Sequence, residues 1–169
     1  MKNAGYSLEY YYGGDADFTN MRSYLVSSGI EKIISDKDFP LSERTGKWGA
    51  QDHVLFQRLM KDLKEEKQKE PFLKLVQTSS SHEPFEVPFH RLDDKVLNSF
   101  AYADSCVGDF VKQYQETPLW KNTLFVLVPD HQCIPIPDRK SVGRTNHSAD
   151  FNRRCNKTTS RSRYLCFAN

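Results

Sequence analysis

Residues 123–131 read TLFVLVPDH, in which five consecutive apolar residues are followed by Pro129 and then by Asp130 and His131. An apolar run of this length, bounded by polar residues, is typical of a parallel strand covered on both faces. In open α/β sheets, ligand sites lie just beyond the carboxyl ends of such strands. The stretch therefore predicts a buried strand that delivers a carboxylate and an imidazole to a site. The alternative is that Asp130 caps a turn and His131 is simply exposed.

Strand-like and helix-like segments alternate upstream of this stretch. The first predicted helix has Thr19 as its N-cap and Gly29 just beyond its end. The alternation predicts an α/β fold with a mostly parallel sheet flanked by helices. The predicted strands cover residues 6–12, 31–35 and the segment FLKLVQTSSS at 72–81, and the predicted helices cover residues 18–28, 52–67 and 93–115.

The composition is that of a globular domain. Of the 169 residues, 38% are apolar, 12% are aromatic and 27% are charged, which is enough apolar material for a real core. No stretch approaches the roughly 18 apolar residues of a membrane span, and residues 1–15 lack the apolar segment of a signal peptide. We therefore expect neither a targeting signal nor a membrane span in these residues.

Charge and cysteine usage change abruptly after His131. Residues 1–131 contain 16 Lys and Arg against 20 Asp and Glu, whereas residues 132–169 contain 8 against 2. Three of the four cysteines lie in the second part, without the spacing of a zinc site. We predict a boundary there, with residues 132–169 forming a basic, disordered tail. We expect no nucleic-acid partner, because the tail has no aromatic platform or known binding module. The alternative is a non-catalytic protein that binds nucleic acid or other polyanions through this tail.

Several motifs occur in a consistent order: YGGDADFTNM at residues 12–21, WGAQD at 48–52, SSSHEPFEVP at 79–88, the helix NSFAYADSCVGDFV at 98–111, and the strand that ends in PDH. Together they resemble the extracytoplasmic catalytic domain of the sulfatase and alkaline-phosphatase superfamily. The branch that they resemble most contains lipoteichoic acid synthases and phosphoglycerol transferases. The resemblance covers nearly all of residues 1–131, so this part is interpreted as a partial sulfatase-like catalytic domain.

The resemblance implies an alkaline-phosphatase-like fold, a divalent metal (manganese, zinc or calcium) and a sulfate-ester or phosphate-ester substrate. Such a cation polarises an ester oxygen and lowers the pKa of the attacking hydroxyl. By their motifs, Asp130 and His131 match metal ligands, and His82 matches the His of the substrate pocket. The alternative for His82 is a loop residue satisfied by its neighbours. The resemblance further implies a membrane-anchored ancestor in the bacterial inner membrane with an extracytoplasmic catalytic domain.

Two further residues of the motifs, Trp48 and Asp52, are interpreted as structural. A Trp beside Gly49 commonly fills a core, and an Asp at this position serves as a helix cap. No part of the chain matches the family's first strand, with its acidic ligand, or the nucleophile that follows it. The sequence therefore predicts an incomplete and poorly stable unit, derived from a hydrolase or transferase, that is inactive alone.

The tail also permits a test by back-translation. Permitted codons from Cys133 onward, read one base later, encode a product that contains ITLLILTGG, which is an apolar strand followed by a turn. This product resembles the segment that follows the DH motif in family members. The second base of each actual codon fixes the first base of its shifted counterpart, so a long family-like strand is improbable by chance. We predict a frameshift just after His131.

Overall fold

The computed structural model describes residues 1–129 and the backbone of residues 163–168. Strands and helices alternate through the first of these ranges, as the sequence predicts. The elements are β1 (Ser7–Tyr12), α1 (Met21–Ser27), β2 (Lys32–Ile34), α2 (Asp52–Glu65), β3 (Phe72–Gln77), α3 (Lys95–Gln115), β4 (Thr123–Val128) and β5 (Arg163–Ala168).

The strands form one sheet in the order β2-β1-β3-β5-β4, and every strand pair in it is parallel. Parallel neighbours need crossover connections. The chain from β1 to β2 contains α1, the chain from β2 to β3 contains α2, and the chain from β3 to β4 contains α3. The predicted α/β fold with a mostly parallel sheet and flanking helices is confirmed.

Helices cover the sheet on both sides. Successive residues of a strand point to opposite faces, so one strand can contribute side chains to the cores on both sides. In β1, Tyr11 faces the larger core, which contains the buried faces of α2 and α3. Tyr10 and Tyr12 face a smaller core on the other side, together with Leu25 of α1. The aromatic run of β1 therefore supplies both cores.

The ends of α1 differ from the prediction at one terminus and agree with it at the other. Thr19 has φ 53° and Asn20 has φ 61°, so both are left-handed, and α1 begins only at Met21. The predicted N-cap at Thr19 is wrong, because a short 3-10 turn and two left-handed residues redirect the chain before the helix begins. Gly29 has φ 89°, the left-handed conformation expected just beyond a helix end.

Two strands differ from the sequence-based picture. β4 carries the apolar run that predicted a strand covered on both faces, yet it lies at the edge of the described sheet, with Leu127 67% exposed. An apolar run does not by itself determine how many neighbouring strands a strand has, because that number depends on the rest of the sheet. β5 was not predicted, and it lies inside the sheet between β3 and β4.

Candidate functional site

The carboxyl ends of the parallel strands meet at one edge of the sheet. Gly13 and Gly14 follow β1 there, and the loop that contains His82 follows β3. In the sequence, Asp130 and His131 directly follow Pro129, the first residue after β4. Open α/β sheets bind ligands at this edge.

Two glycine-containing loops cross in close backbone contact at this edge. The N–H of Ala50 donates to the carbonyl of Gly13 over 2.9 Å, and Gly46 and Gly49 exchange two backbone hydrogen bonds of 2.9 and 3.1 Å. Gly49 has φ 116°, and a Cβ there would lie 2.2 Å from the carbonyl oxygen of Gly13. Only glycine allows this approach, so the YGGDADF and WGAQD motifs form one structural unit.

Asp52 connects that unit to the loop after β3. Its carboxylate Oδ1 accepts hydrogen bonds from the backbone N–H groups of Ser79 (2.9 Å) and Ser80 (3.3 Å), and the Ser80 hydroxyl accepts one from Asp52 N (3.2 Å). Asp52 is fully buried, and its Oδ2 has no hydrogen-bond partner among the described residues. Burial raises the pKa of this carboxyl above its ordinary value. Asp52 is thus structural, as predicted, but it ties down a loop, and Gln51 occupies the N-cap position of α2.

His82 lies on the surface of the same loop, against Trp48. The two rings meet edge to face, with 4.7 Å between centroids and an interplanar angle of 69°. The indole N–H of Trp48 donates to the carbonyl of Glu83 over 2.7 Å, and His82 Nδ1 lies 3.2 Å from that same oxygen. A third ring, Phe18, packs on Trp48 at 6.0 Å. His82 is therefore exposed to solvent and packs against the Trp48 ring.

A shallow cavity opens at this point. Its lining brings together the 46–51 loop and the loop after β3, and it contains one positive and one negative side chain, Lys47 and Glu86, besides His82. The Lys47 ammonium lies 5.5 Å from the centroid of the Trp48 ring. The lining residues are Gly46, Lys47, Trp48, Gly49, Ala50, Gln51, Ser79, Ser80, His82, Pro84 and Glu86.

Of the predicted site residues, the structure describes one. His82 lies at the expected edge, whereas Asp130 and His131 lie outside the described residues, so their role as metal ligands stays a prediction. Within residues 1–129, no group of three or more His, Cys, Asp or Glu side chains is arranged to hold a metal ion. In the same part of the chain, no helix is long and apolar enough to span a membrane.

Sequence reasoning missed the position of Trp48. It is half-buried, belongs to neither hydrophobic core and contacts His82, so it does not fill a core as predicted. Its partners His82 and Glu83 lie more than 30 residues away along the chain, and no local pattern signals that contact. The available hint was that the WGAQD and SSSHEPFEVP motifs belong to the same ordered set.

The fold and this loop cluster define a class: a parallel α/β domain with an exposed imidazole at the carboxyl edge of its sheet. A family model described as Sulfatase matches residues 1–151, and the chain belongs to that family. Phosphoglycerol transferase I of Xanthomonas campestris pv. campestris (strain B100) is 24% identical over 153 residues, which cover 80% of this chain and 21% of that protein. Lipoteichoic acid synthase-like YvgJ of Bacillus subtilis (strain 168) is 24% identical over 146 residues, with coverage of 79% and 23%.

Solved structures confirm the fold. A protein in the alkaline phosphatase superfamily from Vibrio parahaemolyticus superposes with a TM-score of 0.62 and 28% identity, covering 70% of this chain and 31% of that chain. The lipoteichoic acid synthase LtaP from Listeria monocytogenes superposes with a TM-score of 0.58 and 23% identity, covering 68% and 31%. The chain thus spans about a fifth of the length of the curated relatives it matches.

Proposed function

We propose that this chain supplies the anion-binding edge of a sulfatase-family domain that processes phosphate or sulfate esters, with His82 contacting the ester anion. The observation that carries the proposal is the setting of His82. The imidazole is exposed beyond the carboxyl end of β3. The loop that carries it is fixed by hydrogen bonds from its backbone to the buried Asp52 carboxyl group. A phosphate or sulfate oxygen accepts hydrogen bonds from an imidazole, most strongly when the ring is protonated.

The surroundings of His82 suit a polar, anionic ligand. Lys47 supplies a cation on the lining, and the Trp48 ring covers part of the imidazole from water. A charge-assisted hydrogen bond gains strength where water is partly excluded. The cavity is shallow and open, which fits an ester whose leaving group extends into solvent.

We propose that Asp130 and His131 contribute to a divalent metal site at the same edge. A carboxylate and an imidazole form a donor set that suits manganese or zinc, and both residues follow directly after β4 and Pro129. When bound, the cation would polarise the ester oxygen and stabilise developing negative charge. His82 would hold the ester from another strand end, so that anion and metal are positioned by different loops.

For the longer proteins of which this domain is a part, we propose transfer or hydrolysis of a phosphate or sulfate ester, with phosphoglycerol transfer as the leading candidate. The names of the curated relatives support the phosphoryl choice. The family resemblance supports a place at the bacterial inner membrane with the domain outside the cytoplasm. We expect the 169 residues alone to bind ester anions without turnover, because no segment of the sequence matches the family's nucleophile.

The test is a titration of the full 169-residue chain with glycerol 1-phosphate and with inorganic sulfate, followed by isothermal calorimetry and by NMR. We expect binding that is weakened at least about 10-fold by His82→Ala, in proportion to the loss of one charge-assisted hydrogen bond. The matched control is His90→Ala, which removes another exposed histidine. Equal affinities for wild type, His82→Ala and His90→Ala would overturn the role of His82.

The metal proposal is tested separately, with manganese and electron paramagnetic resonance of the free ion. Asp130→Ala and His131→Ala should each leave more free manganese than wild type at the same total concentration. His82→Ala should leave manganese binding unchanged, because we assign His82 to the anion. Identical manganese binding by wild type and the Asp130→Ala/His131→Ala double variant would overturn the metal assignment.

A further inference from the structure

One carbonyl oxygen joins Trp48 and His82. The Glu83 carbonyl accepts the indole N–H of Trp48 over 2.7 Å and lies 3.2 Å from His82 Nδ1. A carbonyl oxygen has two lone pairs and no proton, so it can accept from both groups at once but can donate to neither. His82 Nδ1 must therefore carry a hydrogen in this arrangement.

This hydrogen bond constrains what the other ring nitrogen can do. A neutral imidazole carries one N–H, so with the proton on Nδ1 its Nε2 is an acceptor. Nε2 can donate to an anion only after the ring takes up a second proton. Anion binding through Nε2 is therefore coupled to protonation of His82 as long as the Nδ1 hydrogen bond persists.

Backbone hydrogen bonds and a close backbone contact hold the loop that carries Trp48. This loop is closed by the paired hydrogen bonds of Gly46 and Gly49, and Gly49 lies against the backbone of Gly13 at the end of β1. The indole packs edge to face against the rings of both Phe18 and His82. The sheet thus positions Trp48, and Trp48 positions both the Glu83 carbonyl and the imidazole.

We propose that Trp48 is a positioning residue for the anion-binding group: by donating to the Glu83 carbonyl and packing edge to face on His82, it keeps the His82 proton on Nδ1 and orients Nε2 toward the ligand. The inference rests on the proposed function only for the identity of the ligand. The charged side chains that line the cavity with the imidazole are Lys47 from the 46–51 loop and Glu86 from its own loop. Glu83 follows His82 in the chain, and Asp17, next to Phe18, is paired with Arg22 and Lys37.

The first measurement needs no variant. Long-range nitrogen-proton NMR of the full chain, with His82 assigned by comparison with His82→Gln, reports which ring nitrogen carries the proton in the neutral form. We expect the proton on Nδ1. A proton on Nε2 in wild type would overturn the proposal outright.

The second measurement uses Trp48→Phe, which keeps an aromatic ring and removes the N–H donor. We expect the neutral form of His82 to shift toward the Nε2 tautomer. Because a neutral ring with its proton on Nε2 can donate to sulfate, we expect the Kd for inorganic sulfate at high pH to fall about 3-fold to 10-fold relative to wild type, in proportion to one neutral hydrogen bond. Sulfate is the probe because its charge does not change over the range in which imidazoles titrate. The control is Trp120→Phe, which alters the other tryptophan of the chain, packed against Tyr114 and Phe125, and should change neither quantity.

The outcomes separate the two ideas. A tautomer shift in Trp48→Phe without sulfate binding by wild type would sink the proposed function and retain the positioning contact. If wild type binds sulfate but Trp48→Phe leaves both the tautomer ratio and the Kd unchanged, the proposed function stands and the positioning role of Trp48 is overturned. In wild type, affinity for sulfate should fall as pH rises from about 5 to 8, the range over which imidazole side chains change charge, and His82→Gln should remove that dependence.

Discussion

The ammonium of Lys74 lies 2.5 Å from Oε2 of Glu9, across two neighbouring strands, and the Lys74 side chain has no exposed surface. The Tyr11 hydroxyl lies 2.9 Å from the same carboxylate oxygen, and the rings of Tyr11 and Phe72 flank the ammonium at 5.5 and 5.3 Å. Burial lowers the pKa of Lys74 more than its partner Glu9 raises it. An ion pair is thus enclosed between the sheet and α2.

Breaking this pair from one side should be costly, because the remaining charge stays buried. We expect Lys74→Met and Glu9→Gln each to lower the free energy of unfolding by about 3–5 kcal/mol. The Lys74→Met/Glu9→Gln double variant should lose clearly less than the sum of the two, as urea unfolding would measure. Lys61→Met is the control: its ammonium lies 3.9 Å from Glu65 with both side chains exposed, so its loss should cost well under about 1 kcal/mol. Additive losses would contradict a coupled buried pair.

The crossing of Gly13 and Gly49 gives a second prediction. Gly49→Ala puts a Cβ 2.2 Å from a backbone oxygen and requires φ 116°, so we expect a loss of more than about 2 kcal/mol, together with changed His82 signals in NMR. Gly108→Ala is the matched control, because a Cβ there meets nothing within 4 Å inside α3. It should raise the free energy of unfolding by about 0.5–1 kcal/mol. A stable Gly49→Ala with unchanged His82 signals would mean that the crossing does not support the site.

Asp52 gives a prediction that depends on pH. Because burial raises its pKa in the folded protein above the ordinary 3.8, the folded state holds the proton more tightly than the unfolded chain does. The carboxyl therefore lowers stability progressively as pH rises from about that value toward the folded-state pKa. Asp52→Asn removes the titrating group. As pH rises over this range, the free energy of unfolding of Asp52→Asn should therefore increase relative to that of wild type.

Asp52→Ala separates charge from hydrogen bonding. This variant also removes Oδ1, the acceptor for the N–H groups of Ser79 and Ser80, so we expect it to be about 1–3 kcal/mol less stable than Asp52→Asn at any pH. Urea midpoints for the three proteins, measured from about pH 4 to 8, check both statements. A constant difference between wild type and Asp52→Asn would show that the carboxyl is ionised in the folded protein over the whole range.

Local periodicity was enough to predict the alternation of β1 to β4 with α1 to α3, since each of these segments carries its own apolar pattern. Thr19 failed as a cap because the conformation of residues 18–20 is set by the turn that precedes α1. The contact of Trp48 with His82 joins two loops that are distant in sequence, so only the folded sheet brings them together. The position of His82 came from motif resemblance, and the frameshift after His131 stays a prediction.

β5 was missed because RYLCFA is a short apolar segment within a polar, basic tail, and short runs of this kind do not distinguish strand from coil. In the sheet, Leu165 stands opposite Lys74 of β3 and Phe125 of β4, and β5 is the strand through which β4 joins the described sheet. Leu165→Pro removes a backbone donor from an inner strand, so we expect a loss of about 2–4 kcal/mol and a tendency to associate through the opened edges.

Leu165→Val is the control for this change, because it alters the side chain and keeps a residue that favours strands. It should melt within a few degrees of wild type by circular dichroism and remain in the wild-type peak on size exclusion. The comparison isolates backbone pairing, since both variants lose the same leucine. If Leu165→Pro melts like Leu165→Val, residues 163–168 do not pair between β3 and β4 in solution, and the tail would then be free for the polyanion binding that its charge suggests.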